Sequence, residues 1–251
     1  MENNNIIVRL ATVDDKHYAE TITTEMEESA KARGTGIAKR SPDYIVKKME
    51  EGKAVIAVTT DGTWVGFCYI EAWEHGKYVA NSGLIVSPAF RKSGVAKEIK
   101  QKVFNLSRQK YPDSKIFGLT TGLAVMKINS DLGYEPVTYS ELTNDEEFWK
   151  GCRSCVNYEI LMSKNRKNCM CTAMLYDPVE AAEKERELAK TVVTAEGELQ
   201  HVKKREFKGN FKLFERWIRF KQYVLLGRWK KDDNSDSSDK KKSILSLFFF
   251  W

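Results

Sequence analysis

The chain has 251 residues, 42% hydrophobic and 30% charged, with 12 Phe, 10 Tyr and 6 Trp. That is enough apolar material for one sizeable core with an appendage, and too much for a disordered chain. The net charge of +6 lies in one segment, since residues 203–231 hold eleven Lys/Arg against Glu206 and Glu215; the remainder is slightly acidic, which argues against a nucleic-acid-binding domain.

In chain order, residues 6–12 read as a short strand, followed by a helix over residues 15–32 that stops at Gly34. Ser41-Pro42 marks the start of a second helix, with Pro at the first helical position and Gly52 beyond its end. Three strands follow, at 54–60, 64–72 and 79–86, the first two joined by the hairpin signal Asp61-Gly62. Residues 96–110 repeat apolar groups at helical spacing through Ile99, Val103 and Leu106. A strand at 116–120, a helix at 125–132 and Gly133 as its cap complete the pattern. Strands first consecutive and then separated by helices predict a mixed-sheet α/β domain over residues 1–178.

The most informative stretch runs from Leu84 through Val86, Ser87 and Pro88 to Arg91-Lys92-Ser93-Gly94-Val95-Ala96. A strand gives way to a turn of small residues, and a helix begins directly after it. The first backbone N–H groups of such a helix have no intrahelical partner and favour an anion. Gly94 lets the main chain approach a pyrophosphate, and Arg91 and Lys92 add positive charge. The alternative is a helix start with a solvated Arg-Lys pair. This segment, including Val86-x-Pro88, resembles the acyl-CoA-binding motif of the GCN5-related N-acetyltransferases (GNAT), and Ile128-Asn129-Ser130-Asp131-Leu132-Gly133-Tyr134 resembles that family's other recurring segment. The order of elements over residues 6–142 is similar as well.

The resemblance implies acyl-CoA as co-substrate. Its pantetheine arm would enter a gap between the strands at 79–86 and 116–120, the acyl carbonyl would lie near Leu84 to Val86, and Arg91 to Ala96 would hold the phosphates. It also identifies Asn129 as the position at which many members carry a Tyr that protonates the leaving thiolate. An amide cannot act as that acid, so a water, a nearby Tyr or direct release of thiolate has to substitute. Acyl transfer further needs a base for the attacking amine. Glu71, Glu74 and His75 stand at a strand end near the expected cleft, and Glu71 is the first choice because it continues an apolar strand. Ordinary solvent-facing residues before Gly76 are the alternative for each.

The loop after the first helix gathers Lys31, Arg33, Lys39 and Arg40 around Gly34 and Gly36. Concentrated cations suit an acceptor with a carboxylate, so Arg33, Lys39 and Arg40 are the expected substrate residues; a solvated loop is the other reading. The segments 28–36, 120–129 and 148–152 resemble a bacterial acetyltransferase-like group associated with arginine biosynthesis. That narrower likeness implies transfer of an acetyl or succinyl group to the α-amine of glutamate. The competing readings are an acyltransferase acting on a protein or another amine, and a non-catalytic acyl-CoA sensor.

Cys152-x-x-Cys155 and Cys169-x-Cys171 flank an expected hairpin of strands 156–162 and 169–175 within a Cys-rich segment at 151–176. Two thiolate pairs across a hairpin predict a structural Zn²⁺, with four reduced thiols as the alternative. The chain opens without a basic and apolar leader, contains no apolar run of roughly 20 residues, and has an odd number of cysteines, five; a cytoplasmic location is expected. Residues 179–231 are read as a charged, amphipathic and basic helical tail, with Phe207, Phe211, Phe214, Ile218 and Leu225 on one face. That face would meet protein, another copy of the chain or an anionic membrane surface. Residues 232–251 are read as a flexible linker with an apolar end.

Overall fold

The computed structural model describes residues 5–34 and 39–194. The basic stripe from Phe207 to Leu225 and the apolar end of the chain lie outside the described residues, as do the loop residues 35–38.

Seven strands form one mixed sheet: β1 (Ile6–Leu10), β2 (Ala54–Thr59), β3 (Trp64–Trp73), β4 (Tyr78–Val86), β5 (Lys115–Thr120), β6 (Glu135–Val137) and β7 (Thr172–Tyr176), in the order β1-β2-β3-β4-β5-β7-β6. The first four are consecutive antiparallel neighbours, joined by turns such as that at Asp61-Gly62. β4 and β5 are parallel, which requires a crossover. It is supplied by α3 (Val95–Lys110), whose Val95, Ile99, Val103 and Leu106 are buried.

Helices cover both faces. On one face lie α1 (Ala19–Arg33) and α2 (Pro42–Glu50), whose Ile22, Met26, Ile45 and Met49 pack with Ile56, Phe67 and Tyr69. The Ser41 side chain accepts from the Tyr44 N–H at 3.2 Å, so the expected cap is in place. On that face Tyr78, Phe117 and Leu175 belong to a second cluster, under α5 (Glu146–Lys150) and α6 (Tyr158–Ser163), with Trp149 and Leu161. Strand alternation turns Cys68 and Ile70 the other way, toward α3 and α4 (Leu123–Asp131). Pro178–Thr194 form α7, which agrees with the helical reading of the start of the tail.

The expected hairpin around residues 163–168 is not formed. Residues 156–160 alternate apolar and polar groups like a strand, yet Tyr158–Ser163 is helical and buries Leu161. The second half of the expected hairpin is β7, and it pairs with β5 and β6. The Cys-rich segment is therefore part of the domain's own sheet and of the layer above it.

Candidate active site

β4 and β5 pair at Tyr78↔Lys115, Val79↔Ile116 and Ala80↔Phe117 only. Beyond these positions β4 continues to Val86 and β5 to Thr120 without pairing to each other, so the two parallel strands open into a V. Strand edges facing a gap present N–H and C=O groups to whatever enters it. Along the open edge β4 also carries a bulge: Phe67 faces Ile85 and Tyr69 faces Ser82, so Gly83 and Leu84 together oppose Cys68. Gly83 has φ +66°, and a side chain there would overlap the Tyr69 ring. Leu84 and Val86, expected beside the acyl group, thus lie on the free stretch of β4.

The turn after β4 leads straight into α3. Lys92 and Gly94 both have positive φ, 68° and 91°. Gly94 is the residue before the first helical turn, and a Cβ on it would meet nothing within 4 Å. Ser93, Gly94, Val95 and Ala96 therefore form an open backbone cradle at a helix N-terminus, a geometry suited to phosphate. Arg91 is held from three sides. Its guanidinium donates to Val86 O at 3.1 Å and Ser29 Oγ at 2.6 Å and pairs with Glu25 at 2.8 Å. It braces the turn against α1 while remaining exposed, and Lys92 beside it is exposed as well.

On the α1/α2 face, beside the bulge, a charged cluster joins β3 to α2. Glu71 accepts a hydrogen bond from the Tyr44 hydroxyl and pairs with Lys48 Nζ at 3.2 Å and Arg40 Nη2 at 3.9 Å. Arg40 Nε donates to Tyr69 Oη at 3.0 Å, and its guanidinium lies 4.9 Å from the Tyr44 ring centroid. The side chains are largely buried, with exposures of 20% for Arg40, 10% for Lys48 and 13% for Glu71. Burial opposes the Arg40 charge, but Tyr69, Tyr44 and Glu71 outweigh it and hold its pKa above the ordinary guanidinium value. Burial foremost, with help from neighbouring negative charge, pushes both phenols up, so Tyr44 and Tyr69 stay protonated.

The other expected acceptor and base residues separate. Lys39 is exposed, pairs with Glu27 at 2.7 Å, and uses its N–H on Ser154 Oγ at 3.0 Å. The side chain of Arg33 lies outside what is described. Glu74 accepts from Thr143 Oγ1 and the Asn144 N–H, both at 2.7 Å, and so anchors a loop away from the gap; His75 is exposed in a left-handed conformation. Tyr44, Lys48 and Tyr69 were not expected. The signal for Lys48 was available: it follows Ile45 by three residues on the buried face of α2, where an unpaired lysine is costly.

Asn129 lies on the opposite face at the apex of the V. It is 1% exposed, its Nδ2 stands 3.7 Å from Met174 Sδ, and its buried Oδ1 has no partner. Gly118, the first β5 residue past the last β4 pair, is its neighbour. Asn81, the corresponding residue of β4, accepts from Tyr134 Oη at 2.8 Å and donates to Ser107 Oγ at 2.7 Å. The site thus passes through the sheet, with the charged cluster on one side and buried amides on the other.

Cys152, Cys155, Cys169 and Cys171 line one small cavity with Leu119, Tyr139 and Leu161, and none of the four is in a disulfide. Their geometry does not match the expected zinc site: among the described residues no group of three or more His, Cys, Asp or Glu is arranged to hold a metal ion. Burial, and then the neighbouring thiols, push Cys152 up to about 11, and a hydrogen bond with Cys169, together with burial, raises Cys171 as well.

Comparison with known proteins bears on the chemistry. Residues 23–124 match the Acetyltransferase (GNAT) family. A search of curated proteins gave no match. Among solved structures, the N-acetylglutamate synthase of Neisseria gonorrhoeae, complexed with coenzyme A and N-acetyl-glutamate, is 16% identical with a TM-score of 0.49. The likeness covers 70% of this chain, which spans only 36% of that synthase. A Mycobacterium tuberculosis protein in complex with CoA is 18% identical over 68% of this chain and 98% of its own, with a TM-score of 0.49. A phosphinothricin acetyltransferase from Sinorhizobium meliloti, in complex with acetyl-CoA, is 15% identical over 68% and 88%, with a TM-score of 0.47. The family match spans the V, the turn after β4 and α3, so the stretch that builds this site is similar to the acetyltransferases of that family.

Proposed function

We propose that the protein transfers an acetyl or succinyl group from acyl-CoA to the amine of a small acidic amino acid, glutamate being the first candidate. The observation that carries this reading is the charged cluster beside the β4 bulge. Arg40 and Lys48 share one carboxylate, Glu71, in a largely buried place. Two cations on one anion leave a positive charge that burial makes costly, and a substrate carboxylate would neutralise it. Glu71 then orders the two cations, and as the carboxylate nearest the cleft it remains the candidate to take the proton of the attacking amine. The choice of glutamate rests on the narrower sequence resemblance.

Acyl-CoA would lie with its pyrophosphate on the N–H groups of Ser93 to Ala96 and its pantetheine arm along the free edge of β4. The thioester would reach the level of Leu84. The amine would arrive from the α1/α2 face, through the V. Incubating the protein with acetyl-CoA or succinyl-CoA and each of the common amino acids, and following thiol release, tests the reading. Release that depends on glutamate or aspartate supports it. Release with neutral or cationic amines alone would contradict it.

A further inference from the structure

A buried lysine on the far side of the V has no part in the chemistry described so far. Lys100 is 2% exposed and points from α3 toward the sheet. Among the described residues, the titratable groups that face it are Cys68 of β3 and Tyr134 after α4, with Tyr176 of β7 behind the Tyr134 ring, and no carboxylate does. Its Nζ lies 5.3 Å from the Tyr134 ring centroid, an aromatic contact that supplies only part of what an ammonium loses on leaving water. A cation kept in such a place is costly unless something else arrives there.

The surroundings locate it at the reaction centre. Tyr134 donates to Asn81 at the apex of the V. Cys68 stands opposite Gly83 and Leu84, the bulge residues, and its thiol donates to Ser82 O at 3.3 Å. Lys100 therefore lies under the bulge on the α3/α4 face, while the charged cluster for the acceptor lies on the other. The tetrahedral carbon formed by amine attack must release its sulfur, and the α3/α4 face is the one that the acceptor does not occupy. Asn129, at that opposite face, has an amide and cannot act as an acid.

Resting on the proposed acyl transfer, we infer that Lys100 is the acid of the reaction and gives its proton to the departing CoA sulfur. The amine nitrogen bonds to the thioester carbon and the C–S bond breaks with its electron pair going to sulfur. One Nζ proton passes to that sulfur, giving free CoA thiol and neutral Lys100. The proton lost by the attacking nitrogen returns to Lys100 through solvent, so the cycle closes without a further reactant. Burial lowers the Lys100 pKa from its ordinary value, toward that of a thiol, which favours the transfer.

Titrating the thiol of bound CoA tests this without knowledge of the acceptor. CoA is bound to wild-type protein and to Lys100→Met, and thiolate absorbance is followed against pH with desulfo-CoA as the reference for the protein's own cysteines. Beside an ammonium the bound thiol should ionise at lower pH than free CoA, and in Lys100→Met at or above the free value. Turnover should fall about a hundredfold in Lys100→Met and recover with an aryl thioester, whose thiolate leaves without a proton. Identical CoA titrations in the two proteins would overturn the role of Lys100. Failure of wild-type protein to bind CoA would overturn it too, and would place the fault in the acyl-CoA site itself.

Discussion

The Tyr69 ring packs directly on the backbone of Gly83, so closely that a methyl group at Gly83 would overlap it and come to 2.9 Å from Met26 Cε. Tyr69 holds Arg40 with its hydroxyl, and Gly83 forms the bulge of β4. One contact thus sets the distance between the cationic cluster and the strand expected to carry the thioester. Gly83→Ala must push the ring or the strand aside at a backbone angle that disfavours a side chain. It should cost about 2–3 kcal/mol by denaturant titration and weaken CoA binding together with stability.

Replacing the acceptor cations should separate the two substrates. Arg40→Met and Lys48→Met should each raise KM for the acidic amino acid roughly ten- to hundredfold, the worth of a charged hydrogen bond, with little change in KM for acyl-CoA. Lys39→Ala, which removes an exposed pair with Glu27, should change neither by more than about twofold. Steady-state kinetics with each substrate varied in turn checks both statements.

Acid should act on the fold through Asp15. Burial works against its charge, but bidentate bonds from Arg9, both at 2.7 Å, and the Thr12 N–H at 2.8 Å hold its pKa below the ordinary value. A lowered carboxylate contributes stability that is complete above its unfolded pKa of about 4 and is lost as pH falls through the folded value. Asp15→Asn should therefore cost about 1–3 kcal/mol at pH 7 and much less below pH 3, as measured by unfolding at a series of pH values.

The cysteine cluster predicts slow thiol chemistry. With Cys152 near 11 and Cys171 raised as well, both are thiols and not thiolates at neutral pH. A disulfide exchange reagent at pH 7.5 should modify them far more slowly in native than in denatured protein. Rapid titration of all five cysteines in the native state would show that the cavity is open.

Local chemistry made much of this fold legible. Ser41-Pro42, Asp61-Gly62 and Gly133 each act within a few residues of chain, and all three mark real boundaries. The turn at Gly94 was readable because the residues that form an anion cradle are contiguous. The position of β7 between β5 and β6 was not readable, since it rests on pairing between residues distant in the chain, such as Phe117 and Leu175. Alternation over residues 156–160 looks like a strand because so short a run cannot separate period two from a one-sided helix. The charged cluster depends on Arg40, Lys48 and Glu71 meeting in space, so their charges were visible while their partnership was not. For Arg91 the charge was visible as well, while its contacts with Glu25 and Ser29 of α1 were not.

Calorimetric titration of acetyl-CoA into wild-type protein and Gly94→Asp tests the central claim most directly. The added side chain meets no atom within 4 Å, so the fold should persist with a modest cost from the positive φ, while a carboxylate would occupy the approach of the pyrophosphate. Wild-type protein should bind one acetyl-CoA, and a folded Gly94→Asp should lose at least about tenfold in affinity, some 1.4 kcal/mol. Equal binding by the two folded proteins, or no binding by the wild type, would contradict an acyl-CoA site at this turn.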